Sequence, residues 1–203
     1  METTDVALIL QRLLAITDTG LSFAASEFDR ERYADIRDNL NQLLSETSHL
    51  DQKELSNLLR PTDFYATPLV DVRAFIVQQG KIYLVRGQQE KTWALPGGFC
   101  EVGLSTKENV LKEIQEETGF QASVVHLLAV FDSNKFQPQS KQYVKLVFEC
   151  RLEEGDFQPN LEISELNFFD PQNLPLLSEK RITKEQMQLL WEIYQGKREQ
   201  YLD

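Results

Sequence analysis

Between Leu95 and Phe120 the chain passes through a Pro-Gly-Gly bend, a short polar loop and a helical segment closed by glycine, and this stretch constrains the fold more than any other. Gly97-Gly98 allows the backbone to approach other groups closely. The pattern predicts a helix from near Thr106 to Gly119, whose missing Cβ suits a C-terminal cap. Glu113, Glu116 and Glu117 are spaced i, i+3, i+4, which places all three on one side of that helix within a turn. Val110, Leu111, Ile114 and Thr118 lie on a neighbouring stripe, about 125° away at roughly 100° per residue, and are expected to face a core. Three adjacent carboxylates repel one another and disfavour an isolated helix. A hard divalent cation relieves that repulsion, and Mg²⁺ takes oxygen ligands while bridging to substrate phosphates. An acidic cluster alone is usually a solvated helix face. Its fixed distance from a glycine bend, where a bare carbonyl offers another oxygen, is what favours a site.

Composition narrows the chemistry. Acidic residues outnumber basic ones, 32 to 21, for a formal charge of -11. A field of that sign repels a phosphate backbone and disfavours nucleic-acid binding. An anionic substrate would then need positive charge recruited locally, for which a metal ion is suited. Two cysteines, Cys100 and Cys150, cannot build a disulfide framework and fit a cytoplasmic protein with reduced thiols. Two histidines leave little for zinc sites or a Ser-His-Asp triad. No apolar run approaches the roughly 18 residues that span a bilayer, and the first residues lack the basic start and cleavage site of a signal peptide. Neither a nucleic-acid nor a membrane partner is therefore expected.

Two regions are expected. Residues 1–65 read as a small all-helical domain, serving dimerisation or as a substrate lid. Val6, Leu10, Leu13, Leu14 and Leu21 share a helical spacing, and a second helix from near Glu27 sets Phe28, Ile36, Leu40 and Leu43 on one face. A shorter helix is expected in DQKELSNLLR, with Asp51 as N-cap, and a linker at about 61–69, where Pro61 and Pro68 punctuate the chain. Residues 66–203 read as a mixed α/β domain in the order strand, strand, helix, three strands, helix. VDVRAFIVQQ and KIYLVRG form a hairpin about Gly80, SNKFQPQS is a polar loop, and LNFFD is a short strand. In the closing helix Ile182, Met187, Leu190, Ile193 and Tyr194 lie near one stripe.

The Leu95–Phe120 segment resembles the Nudix box: Gly, five residues, Glu, seven residues, Arg-Glu, an aliphatic, any residue, Glu-Glu, any residue, Gly, an aliphatic. Gly98, Glu113, Ile114, Glu116, Glu117 and Gly119 fall in register, with Phe120 in the last hydrophobic place, and Trp93-Ala94-Leu95-Pro96-Gly97 is similar to the usual lead-in. Leu104 stands where the box has Glu, and Lys112 where it has Arg. Losing the acid and softening the base together reads as a coordinated replacement; it would also remove a metal-site carboxylate, for which Glu101, three residues earlier, is the candidate substitute. The helical N-terminus, VDVRAF, GGFCEVG, KEIQEETGF and LNFFD resemble one branch with a helical N-terminal domain, described as ADP-ribose pyrophosphatase-like and including CDP-choline pyrophosphatases.

The resemblance implies a Nudix α/β/α sandwich with a mixed sheet and a Mg²⁺-dependent (or Mn²⁺-dependent) pyrophosphohydrolase. Its substrate would be a nucleoside diphosphate linked to another moiety, ADP-ribose first and CDP-choline or a related CDP-alcohol as the alternative. A catalytically weak nucleotide-sensing module is the reading from another class, favoured by Leu104 and Lys112. By family position Glu113, Glu116 and Glu117 are metal ligands, with the Gly97 carbonyl as a fourth, and the catalytic base is Glu116 or the later Glu162. Arg73 and Arg86 are candidates for phosphate contact, and Phe131 and Tyr143, which flank the variable loop, for the base pocket. For each of these the alternative is structural: an ion pair for the arginines, core packing for the aromatic residues. The N-terminal helices are too few to bury much surface alone, so a homodimer is expected.

Overall fold

A computed structural model describes residues 3–47, 65–139 and 141–203. The chain divides into two compact units, Met1–Pro68 with Pro138–Gln142, and Leu69–Gln137 with Tyr143–Asp203.

In the first unit, α1 (Thr3–Phe23) and α2 (Glu27–Thr47) form a helical hairpin. Ser26 starts α2 by accepting the Asp29 N–H on its hydroxyl at 3.1 Å. Leu10 and Leu14 meet Leu40 and Leu44 in a small core, beside a buried pair in which Arg37 Nε donates to Asp18 Oδ1 at 2.6 Å. The expected apolar faces are split. Leu10, Leu14 and Leu40 are buried, whereas Leu13, Phe28, Ile36 and Leu43 are exposed together with Ile9 and Ile16. Two helices pack along one narrow seam, and these sequences carry more apolar residues than that seam can cover. The helix expected in DQKELSNLLR lies outside the described residues.

The second unit is a mixed sheet with helices on both faces. Its elements are β1 (Leu69–Gln78), β2 (Lys81–Gly87), β3 (Trp93–Ala94), α3 (Thr106–Thr118), β4 (Phe120–Asp132), α4 (Ser133–Phe136), β5 (Tyr143–Gly155), β6 (Ile163–Phe169), α5 (Lys184–Tyr194) and β7 (Tyr201–Leu202). The strand order is β3-β2-β1-β5-β4-β7, with β6 on β2. β1 and β5 are parallel, Leu69 opposite Tyr143 through Ile76 opposite Cys150. The interior of β1 is buried without alternation, as a strand covered on both faces must be. Val72, Ala74 and Ile76 face Val110 and Ile114 of α3, while Phe75 faces Met187 and Leu190 of α5. The hairpin turn is Gln79-Gly80, both at positive φ (51° and 74°), as a two-residue turn of this hand requires. β1 and β2 pair only near that turn, because the Pro96–Cys100 segment then takes the edge of β1. The loop SNKFQPQS opens with the helical turn α4, capped by Asp132. The two-residue strands β3 and β7 are too short for a periodic signal. Among the described residues no helix is long and apolar enough to cross a membrane.

Candidate active site

The site is assembled where the glycine bend lies along β1. Val72 N donates to Gly98 O at 2.9 Å, Ala74 N to Pro96 O at 2.8 Å and Cys100 N to Val70 O at 2.9 Å. Gly97 has φ 139°, and a Cβ there would overlap the Val72 carbonyl, so only glycine fits. Helix α3 then begins at Ser105, whose hydroxyl accepts the Glu108 N–H while the Glu108 carboxylate accepts the Ser105 N–H. It ends at Gly119 in the left-handed region, φ 77°. Both ends are thus fixed by local chemistry, and the acids arrive at the bend at a set height and rotation.

The three glutamates occupy three different environments. Glu117 is 4% exposed and its Oε2 accepts the Gly97 N–H at 2.9 Å. Burial pushes its carboxyl up to about 7, against the opposing pull of Arg73, the Gly97 N–H and Arg181. Glu113 is half-buried and lies against Gly98, where an added Cβ would come within 2.6 Å of its Oε1. Its carboxyl is also raised, first by burial, then by Glu116 and Glu162, with Arg73 and Lys112 opposing. Glu116 is exposed, and Lys112 Nζ donates to its Oε2 at 2.5 Å. Lys112 also donates to Glu101 Oε1 at 3.1 Å, and both contacts hold its ammonium well above the usual lysine range.

These groups suit a hard divalent cation. The donor set is all oxygen, the bend admits a carboxylate where any side chain would intrude, and burial of the Glu117 carboxylate outweighs the cationic pull of Arg73 and Arg181. Among the described residues no three His, Cys, Asp or Glu side chains are already gathered as a ready-made ligand group, and Glu116 is paired with Lys112.

Arg73 is committed elsewhere. It donates from Nε and Nη2 to both oxygens of Asp71, at 3.0 and 2.7 Å, and from Nη1 to Gly97 O at 2.5 Å. It is 7% exposed, so the expected phosphate contact gives way to holding the loop. The Gly97 carbonyl is accordingly turned towards Arg73. Arg86 reaches Glu165 Oε1 at 2.7 Å across paired strands and donates from Nε to Lys91 O. Phe131 corrects the expectation of a base-stacking residue. It is fully buried against Phe136 and Tyr201, at 5.2 and 5.3 Å between ring centroids, because α5 covers that face of β4. Tyr143 is buried too, with its Oη donating to Lys180 O at 3.0 Å and its ring edge-on to Phe99 at 5.7 Å. Phe99, next to Gly98, is 53% exposed.

Glu162 is exposed, and its charge opposes that of Glu113. Its placement depends on Asn160, which the sequence reading passed over. Asn160 Nδ2 donates to the Glu116 and Glu117 carbonyls at 3.1 and 3.2 Å, and its Oδ1 accepts the N–H groups of Glu162 and Ile163 at 3.0 and 2.8 Å. One side chain therefore ties the Glu162 loop to the end of the acidic helix. The signal available was Pro159-Asn160 ahead of a strand, a common turn pattern with no specific meaning.

Known proteins match this arrangement. Residues 67–190 match the family model described as NUDIX domain, and residues 4–59 match one described as UDP-X-like, N-terminal oligomerisation domain. A solved structure titled UDP-X diphosphatase is 62% identical, with all of both chains covered and a TM-score of 0.68. The Bacillus subtilis protein YjhB, provisionally named an ADP-ribose pyrophosphatase, is 38% identical over 90% of this chain and 88% of its own. A Streptococcus suis structure titled ADP-ribose pyrophosphatase is 38% identical, covers 67% of this chain and 98% of its own, and has a TM-score of 0.61.

Proposed function

The chain belongs to the Nudix hydrolase family of pyrophosphatases, whose members generally use a divalent metal, and on that footing we propose that it hydrolyses the phosphoanhydride of a nucleoside diphosphate linked to another moiety. The products are a nucleoside monophosphate and a phosphorylated remainder. The observation that carries this reading is the acidic turn on the bend, Glu117 on the Gly97 N–H and Glu113 against Gly98. A UDP-linked compound is the first substrate class, supported by likeness over the whole chain to a structure titled UDP-X diphosphatase and by the N-terminal match. ADP-ribose, expected from the sequence, is the second, supported by the Bacillus subtilis and Streptococcus suis relatives.

Glu113, Glu116 and Glu117 would hold the cation, Mg²⁺ or Mn²⁺, while the Gly97 carbonyl, expected as a fourth ligand, is taken by Arg73. When bound, such a cation neutralises phosphate oxygens and makes a water more acidic. Glu162 accepts the proton of the attacking water, with Glu116 as the other candidate base. Asn160 fixes the loop that carries Glu162, and Arg73 fixes the bend. Phe99 offers its open ring to the base, backed by Tyr143. The exposed Ile9, Leu13, Ile16, Ile36 and Leu43 fit a homodimer formed through the first unit. The free Cys100 and Cys150 fit a cytoplasmic protein.

The test is Mg²⁺-dependent release of nucleoside monophosphate from UDP-glucose, ADP-ribose and CDP-choline, compared by kcat/KM, with Glu116→Gln as control. The reading expects hydrolysis of at least one, fastest for the UDP compound, and loss in the variant. Full turnover in Glu116→Gln would remove the acidic helix from the reaction.

A further inference from the structure

The turn before α5 carries two adjacent cations, Lys180 and Arg181, and its backbone is held by side chains at three successive carbonyls. Glu179 O accepts from Gln137 Nε2 at 2.9 Å, Lys180 O from Tyr143 Oη at 3.0 Å, and Arg181 O from Lys145 Nζ. On the other side Ser178 N donates to Trp93 O at 2.8 Å and Trp93 N to Leu176 O at 2.9 Å. The turn is thereby fastened to β3, the strand that leads into Pro96-Gly97-Gly98.

Lys145 is the costly part of this clamp. It is 1% exposed, with Gln137 Oε1 at 2.9 Å as its other acceptor, and burial beside Arg73 pushes its ammonium down to about 7. A methionine of similar length would fill the space without that penalty, so what the lysine contributes is its donors.

The clamp sets the half-buried Arg181 near the glycine bend: Lys145, which holds its carbonyl, lies opposite Asp71 in the paired strands, and Asp71 binds the Arg73 that holds Gly97. Among the described residues the Arg181 guanidinium makes no ion pair, and its charge is felt by the buried Glu117 carboxylate. The neighbouring cations are committed: Arg73 to Asp71 and Gly97, Lys112 to Glu101 and Glu116, Arg86 to Glu165. A diphosphate entering an acidic protein still needs a cation that can fork onto its oxygens.

We propose that Arg181 binds the diphosphate of the substrate and that Lys145 is a positioning residue, which sets Arg181 by holding its carbonyl. This rests on the reading of the chain as a hydrolase of nucleoside-diphosphate-linked compounds. The experiment measures calorimetric binding of α,β-methylene-UDP and α,β-methylene-ADP, and KM and kcat for UDP-glucose and ADP-ribose, in wild type and variants. Arg181→Ala should weaken binding of the analogue that wild type prefers by about tenfold to a hundredfold, the range for a hydrogen bond to a charged group. KM should rise more than kcat falls, with part of the loss restored in Arg181→Lys. Lys145→Met should shift KM in the same direction and add little to Arg181→Ala, since both act through one contact. If Lys145→Met does not fold, Gln137→Ala loosens the same clamp more gently and carries the same expectation. Unchanged affinity and KM in Arg181→Ala, with an active wild type, would overturn the inference alone. A full independent loss from the clamp variant in the Arg181→Ala background would overturn the positioning role. A wild type that neither binds nor hydrolyses any of these nucleotides would overturn the reading of the site on which both depend.

Discussion

Lys112 Nζ stands 3.1 Å from Glu101 Oε1, bridging the loop that follows the glycine bend to the acidic helix. The family pattern places an acid at 104, where this chain has Leu104, and an arginine at 112. A loop-to-helix charge contact is thus made here from an acid three residues nearer the bend. The same ammonium meets Glu116 at 2.5 Å, so this bridge also fixes a proposed ligand.

Exposed ion pairs contribute little to stability, so the Glu101 contact should act on geometry instead. Glu101→Gln is expected to leave the melting temperature essentially unchanged and to lower kcat/KM modestly, on the order of twofold to fivefold. Parallel thermal melts and steady-state kinetics check this.

Glu117 predicts a pH signature in metal-free protein. Its carboxyl is raised from 4.5 to about 7, so the folded state binds more protons than the unfolded state between those values. That contribution to stability is fully present below pH 4.5 and is lost as the pH rises through 7. In EDTA, Glu117→Gln should therefore gain stability relative to wild type as the pH rises from 5 to 8. Added Mg²⁺ should stabilise wild type most at the high end of that range and the variant little. Thermal melts across the pH series give both slopes.

Asn160 joins two parts of the site through one amide. Asn160→Leu removes the acceptor for two N–H groups and the donor to two helix carbonyls, and should cost about 1–3 kcal/mol of stability. Because Glu162 loses its anchor, kcat should fall about tenfold or more, as for outer partners of metal sites. Urea melts and single-turnover rates separate the two effects.

Asp71 neutralises a buried guanidinium. Asp71→Ala leaves Arg73 buried without its partner and should destabilise the fold by about 3–5 kcal/mol, whereas Asp71→Ala with Arg73→Met should recover part of that loss. Chemical denaturation of the two variants tests the claim. The double variant should remain a poor enzyme, since the Gly97 carbonyl has lost its donor.

The exposed face of the helical hairpin predicts association. Leu13→Glu with Ile16→Glu should convert a dimer into a monomer by light scattering, while the second unit keeps its near-ultraviolet signature.

The parts of the site that are local in sequence were legible there. The bend, the capped helix and the acid spacing each depend on residues within one turn or loop, and they appear where the pattern put them. What separates Glu117 from Glu116 is tertiary: of these neighbours on the helix, Glu117 is buried on the Gly97 N–H of the bend while Glu116 is exposed and pairs with Lys112. Phe131 misled because a strand residue beside a variable loop lies near a site in sequence, while α5 and β7 bury it in space. Arg73 was recoverable, since Asp71 two residues earlier on a strand shares its face. Asn160 and Lys145 were not, because their meaning lies in partners 43 and 36 residues away.

The central claim is that the acidic turn binds a divalent cation, and Mn²⁺ titration followed by electron paramagnetic resonance tests it without reference to any substrate. Wild type should bind Mn²⁺, and Glu113→Gln with Glu117→Gln, folded by circular dichroism, should bind it far more weakly. Equal binding by the folded double variant would contradict the account.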